Sequence, residues 1–166
     1  FFLTCGTSNA SPQVAGGAAL FLEQWRQDPQ HDVDPSPAMI KAAVLGSARS
    51  LAGGLNASGQ VMGHPFDSQQ GWGRLDVGEL VSPASNALTT MDEPFLMDAN
   101  GDSFTVSLSV VDPSQPVRVM LVWTDAPGHG LGGATPAWVN DLDLTVDAGE
   151  ETYKGNQFDQ STGYSM

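Results

Sequence analysis

The sequence predicts a chain in two parts, helices and loops first and an antiparallel β-domain second. Three observations predict it. "GTSNASPQVAGGAALFL" (6–22) opens with turn-forming and small residues and runs into an apolar segment of helical character. "PSPAMIKAAVLGSA" (35–48) carries a helix start signal followed by an apolar face. Beyond "SPASNALTTMDEP" (82–94) the apolar period changes to two, as strands require.

The first helix is expected from Ser8 to Gln27. Val14, Ala15, Ala18, Ala19, Leu20, Phe21 and Leu22 cover nearly every side of it. A helix apolar all round belongs inside a domain, so Ser8 is expected as a hydroxyl at the exposed end of a buried rod. Pro12 fits only its first turn, where a missing N–H costs nothing. After the polar stretch "DPQHDVDP" (28–35), Ser36 can cap a second helix with Pro37 at its first position. Ile40, Ala43, Val44 and Leu45 give that helix its apolar face, and 53–73 is rich enough in Gly, Asn and Ser to be loop. "QGWGRLDVGELV" (70–81) closes this part, with Trp72 as a packing anchor.

The second part alternates in "SFTVSLSVV" (103–111), "PVRVMLVW" (116–123) and "DLDLTVD" (141–147). Turn signals lie between the strands at "DANGD", "DPSQP" and "DAGEE". About five strands are visible, fewer than the seven or eight of a full sandwich or jelly roll.

Composition narrows the function classes. With 19 acids, 6 bases and a net charge of −13, the chain is a poor partner for nucleic acid, whose phosphates would repel it. No stretch approaches the roughly 18 apolar residues of a membrane span. "FFLTC" (1–5) has no basic leader and is too short for a signal peptide. The single cysteine, Cys5, excludes an internal disulfide framework and reads as a small buried thiol, although it lies three residues from Ser8. "NAS" at 56–58 fits a glycosylation acceptor; the "NAS" at 9–11 would block the neighbourhood of Ser8.

On position alone, Ser8 reads as an N-cap. The longer motif reads differently: "GTSNASPQVAGG" (6–17) resembles the nucleophile motif of subtilisin-like serine proteases, usually Gly-Thr-Ser-Met-Ala-Thr-Pro-His-Val-Ala-Gly. "PSPAMIKAAVLGSA" and "QGWGRLDV" resemble the segments that follow it there, in the same order. "VRVMLVWTDAPG" and "VNDLDLTVDAGEETYKGNQF" are similar to the C-terminal β-barrel of alkaline subtilases that carry a jelly-roll module. The resemblance implies an α/β subtilisin-like part at 1–84 and an antiparallel sandwich or jelly-roll part, incomplete, at 85–166. Asn9, Ser11 and Gln13 depart from the usual Met, Thr and His, at positions that pack the helix start rather than perform chemistry.

What the resemblance implies has a physical basis. A helix N-terminus exposes a hydroxyl while fixing its backbone, and its unpaired N–H groups favour negative charge. The Ser8 N–H could then donate to the oxyanion of acyl transfer, a bond worth roughly 3 kcal/mol. A serine also needs a general base oriented by an acid. In the family the triad Asp and His and the oxyanion Asn all precede the serine, whereas His31, His64 and His129 here follow it in unmatched contexts. The chain is therefore expected to be the C-terminal part of a secreted endopeptidase acting on polypeptides, inactive alone. Its first helix, without the sheet that covers it in the family, is expected to self-associate.

Asp141 and Asp143 fall on one side of a strand, opposite Leu142 and Leu144, and such oxygen spacing suits Ca²⁺. Asp125 and Asn140 are further candidate ligands. The resembled β-barrels also bind calcium, while a solvated polar face is the plainer reading. Two other functions remain: a calcium-dependent β-sandwich binding module without catalysis, and a serine hydrolase with a nucleophile elbow. The elbow needs Gly-x-Ser-x-Gly, and position 10 is Ala.

Overall fold

Ser36 and Asp76 start two of the three helices by the same device, a side-chain oxygen that takes an N–H the first turn cannot satisfy. In a computed structural model, residues 6–65, 68–82, 89–130, 136–159 and 161–166 are described. Cys5 and the expected boundary at 84/85 lie outside the described residues. The elements are α1 (Thr7–Gln27), α2 (Pro37–Gly46), α3 (Val77–Val81), β1 (Thr145–Ala148) and β2 (Glu151–Lys154). They fall into two compact units, Phe1–Ala48 with Leu75–Val122, and Arg49–Arg74 with Trp123–Met166.

The first unit holds the helices. Gly17, Phe21 and Trp25 recur every four residues and form the buried stripe of α1. They meet Met39 and Ala43 of α2 and Leu80 of α3, with Ile40, Leu75 and Val81 around them. Gly17 lets the helix approach closely, since a Cβ there would lie 2.9 Å from Leu75 Cδ2. As expected, Ser36 caps α2 by accepting from the Met39 N–H at 3.0 Å, with Pro37 at the first position. Asp76 accepts from the Glu79 N–H at 3.2 Å to start α3. Arg118 donates to the Gly46 and Ala48 carbonyls, holding 117–122 against the negative end of α2.

Two expectations about α1 need correction. Pro12 stands at the sixth helical position rather than in the first turn. Having no N–H, it cannot donate to the Ser8 carbonyl four residues back. Nor is the helix covered on every side: Val14 is 42% and Leu20 47% exposed. Two shorter helices along one stripe cannot wrap a rod of roughly 30 Å.

Among its described residues the second unit is built from turns and a hairpin. Arg49 and Arg74 exchange two backbone hydrogen bonds of 2.8 Å, closing the 49–74 loop at its base. Within it, Leu55 pairs with Val61 around a turn organised by Asn56. β1 and β2 pair antiparallel from Thr145↔Lys154 to Ala148↔Glu151, leaving two loop residues. Gly149, the first of them, has φ 67°, the sign a two-residue mirror-image turn needs. Asp147 and Thr152 face each other across the ladder, and the threonine hydroxyl donates to the carboxylate at 2.7 Å. At 103–111 and 116–123 the alternation is present without strand pairing. Val106, Leu108 and Val110 are exposed there. Alternation prepares a strand, but a ladder also needs an edge with which to exchange hydrogen bonds.

Leu80 is 2% exposed and lies where all three helices converge. Leu80→Ala should cost about 3 kcal/mol through lost burial and the cavity left behind. The measurement is the denaturant midpoint of the helical signal; an unchanged midpoint would place the core elsewhere.

Candidate functional site

Gly6 precedes α1 with φ 129° and ψ 163°, a conformation that L side chains rarely adopt. This turn starts the helix at Thr7 and sets Ser8 second in it, exposed. The Gly6 carbonyl accepts from Asn9 at 3.0 Å and Ala10 at 3.2 Å. The ladder thus begins past Ser8, whose own N–H belongs to the group with no intrahelical acceptor. The Ser8 side chain does not cap the helix; Gly6 is the cap residue and has no side chain to offer. The hydroxyl of Ser8 and an N–H outside the helical ladder therefore sit together at the positive end of α1.

Each histidine has a local partner of its own. His31 stacks on Trp25 with ring centroids 3.5 Å apart and lies 3.8 Å from Asp28. Trp25 is seventeen residues beyond Ser8 on the same helix, about 25 Å along its axis at the usual rise. His31 is thus a packing residue at the opposite end of α1, half-buried rather than loose on the surface. Trp25 also donates from Nε1 to the Val33 carbonyl at 2.9 Å, and Arg26 grips Asp34 through two bonds of 2.7 and 2.6 Å. The guanidinium holds the exposed Asp34 carboxyl below its ordinary range. Together these contacts fold 28–35 back onto the helix end. In the second unit, His64 Nε2 bonds the Ser161 carbonyl at 3.1 Å and His129 Nε2 the Pro136 carbonyl at 3.0 Å.

Of the four candidate calcium ligands, the structure joins Asp125 and Asn140. The Asp125 carboxylate accepts from the N–H groups of Ala126 (2.8 Å), Val139 (2.7 Å) and Asn140 (3.1 Å), and from Asn140 Nδ2 (2.8 Å). These donors, Val139 foremost, lower its pKa. Its oxygens hold a turn together, so calcium would have to displace N–H donors to use them. Asp141 and Asp143 are exposed beside half-buried Leu142 and Leu144, the expected alternation. Among the described residues no group of three or more His, Cys, Asp or Glu side chains is arranged to hold a metal.

Two further features were hidden in the sequence. The Asn56 amide of the "NAS" at 56–58 is tied down: Oδ1 accepts from Ser58 and Gln60, both at 2.9 Å, and Nδ2 donates to Gln69 at 2.8 Å. A sugar on Nδ2 would replace one of its two N–H groups, the other remaining a donor. Asp159 accepts from the hydroxyl and N–H of Ser161 and of Thr162, the two N–H bonds being 2.9 and 2.8 Å. The "DQST" run is the signal, since an Asp followed by Ser and Thr supplies these donors locally.

No family model matches the chain, and no curated protein or solved structure matches it.

The donors around Asp159, led by the Ser161 hydroxyl, bring its pKa from 3.8 to about 2. A depressed carboxylate stabilises its turn above the ordinary value and loses that effect as pH falls through the folded one. Carboxyl NMR should give a midpoint near 2, with the Ser161 and Thr162 amide signals moving in step. An ordinary midpoint near 3.8 would mean that the turn is not formed.

Proposed function

We propose that this chain is the C-terminal part of a subtilisin-like serine endopeptidase, with Ser8 as its nucleophile. The observation that carries the reading is the start of α1, where Gly6 sets the turn and Ser8 is exposed with its N–H outside the ladder. The motif "GTSNASPQVAGG" supports it by resemblance. In this reading the Ser8 oxygen attacks the carbonyl carbon of a peptide bond. The oxyanion that forms takes the Ser8 N–H, in the field of the helix N-terminus. Collapse of that intermediate expels the amine and leaves an acyl group on Ser8, which water removes.

The proton from Ser8 needs a base, and His31 lies at the far end of α1. In the resembled family the base and its acid partner precede the serine, so the resemblance assigns them to the part of the enzyme that precedes this chain. That part would also carry the sheet that covers Val14 and Leu20. The resemblance further assigns secretion, polypeptide substrates and a jelly-roll architecture for 85–166, and together with the Asp141 and Asp143 spacing it speaks for calcium.

Two outcomes are expected. The parent enzyme should cleave a chromogenic peptide and lose that turnover by several orders of magnitude in Ser8→Ala, while this chain alone shows none. Unchanged turnover in the parent variant would refute the nucleophile, and Ser8-dependent turnover by the chain alone would show that its base is here. Separately, the chain alone should self-associate through the exposed side of α1, read by light scattering across concentration. A monomer at every concentration would remove that partner.

A further inference from the structure

We infer that Asn100 is a site of spontaneous deamidation, independent of the protease reading. The chain has asparagines at 9, 56, 86, 100, 140 and 156, and Asn100 alone is followed by glycine. The reaction is an attack of the next residue's backbone nitrogen on the side-chain amide carbon, so a residue without a Cβ removes the main steric obstacle. Asn100 and Gly101 form the exposed tip of a turn in which the Asp102 N–H donates to the Ala99 carbonyl at 3.2 Å. Gly101 has φ 92° and open space where a Cβ would stand.

At Asn56 and Asn140 the side-chain amide is restrained. Asn56 is held by Ser58, Gln60 and Gln69 and is followed by Ala57. Asn140 donates its Nδ2 to Asp125 and is followed by Asp141.

The step balances without any added reagent but water. Gly101 N loses its proton to solvent base and bonds to Asn100 Cγ; the Cγ–Nδ2 bond breaks, and Nδ2 leaves as ammonia. Water then opens the cyclic imide at either carbonyl, giving aspartate or isoaspartate. Either product puts a carboxylate into a turn that already carries Asp98 and Asp102. The Asp102 carboxylate there accepts from the N–H groups of Asp98 at 3.1 Å and Ala99 at 3.0 Å. Isoaspartate also adds a carbon to the backbone inside the Ala99–Asp102 bond. The turn should therefore loosen as the protein ages.

The test is timed incubation of the whole chain in mildly alkaline buffer, followed by peptide mapping with mass spectrometry and an isoaspartate assay. The peptide containing Asn100 should gain the mass of an amide-to-acid change, with isoaspartate in excess of aspartate. It should do so several-fold faster than the Asn56 and Asn140 peptides, faster still at higher pH, and several-fold slower in Gly101→Ala. Conversion no faster at Asn100 than at Asn56, or a rate unchanged in Gly101→Ala, would overturn the assignment.

Discussion

Gly17, Phe21 and Trp25 lie in one line along α1, and the rest of the helical unit is arranged to cover that line. Glycine brings the backbone of α1 close to Leu75 and Leu80, and the two aromatic rings then reach between α2 and α3. Their rings sit 5.8 Å apart and tilted by 50°, a favourable arrangement for an aromatic pair. Trp25 adds a polar function to the apolar one. Its indole N–H holds the Val33 carbonyl while its ring face carries His31. Packing at the C-terminal end of α1 therefore anchors the helix by the end opposite Ser8.

The acidity of the chain has a structural use that the net charge conceals. Asp76, Asp102, Asp112, Asp125 and Asp159 each accept from nearby backbone N–H groups and so shape a cap or a turn. Arg26 pairs with Asp34. Six bases could not neutralise nineteen acids, so the carboxylates are stabilised by dipoles instead. The Ser114 hydroxyl at Asp112, the Val139 N–H at Asp125 and the Ser161 hydroxyl at Asp159, each with further donors, hold these carboxyls below their ordinary pKa. Acid is accordingly the condition that should loosen the loops first, before it reaches the apolar contacts around Leu80.

Local signals were legible wherever a residue acts on its own neighbours. Ser36 and Pro37 start α2, the Gly-rich 53–73 stretch is loop, and "DAGEE" turns β1 into β2. Ser8 at a helix start was legible for the same reason, because Gly6 acts on the next residue. The surroundings of the site were not. Alternation at 103–111 and 116–123 describes two faces of a strand but names no partner, and no ladder forms there. The apolar residues of α1 say that the helix can be buried, not which side will be, and only one stripe is.

Sequence by itself thus determined where helices and turns begin, because caps, prolines and positive-φ glycines work through the nearest few bonds. Tertiary structure alone decided that Arg118 closes α2, that Asp125 meets Val139 and Asn140 rather than standing free, and that His31 rests on Trp25. Each of those contacts joins residues whose meeting depends on the path of the chain between them. No spacing rule carries that information, since a carboxylate or a ring is satisfied by any donor or face that the fold brings within reach.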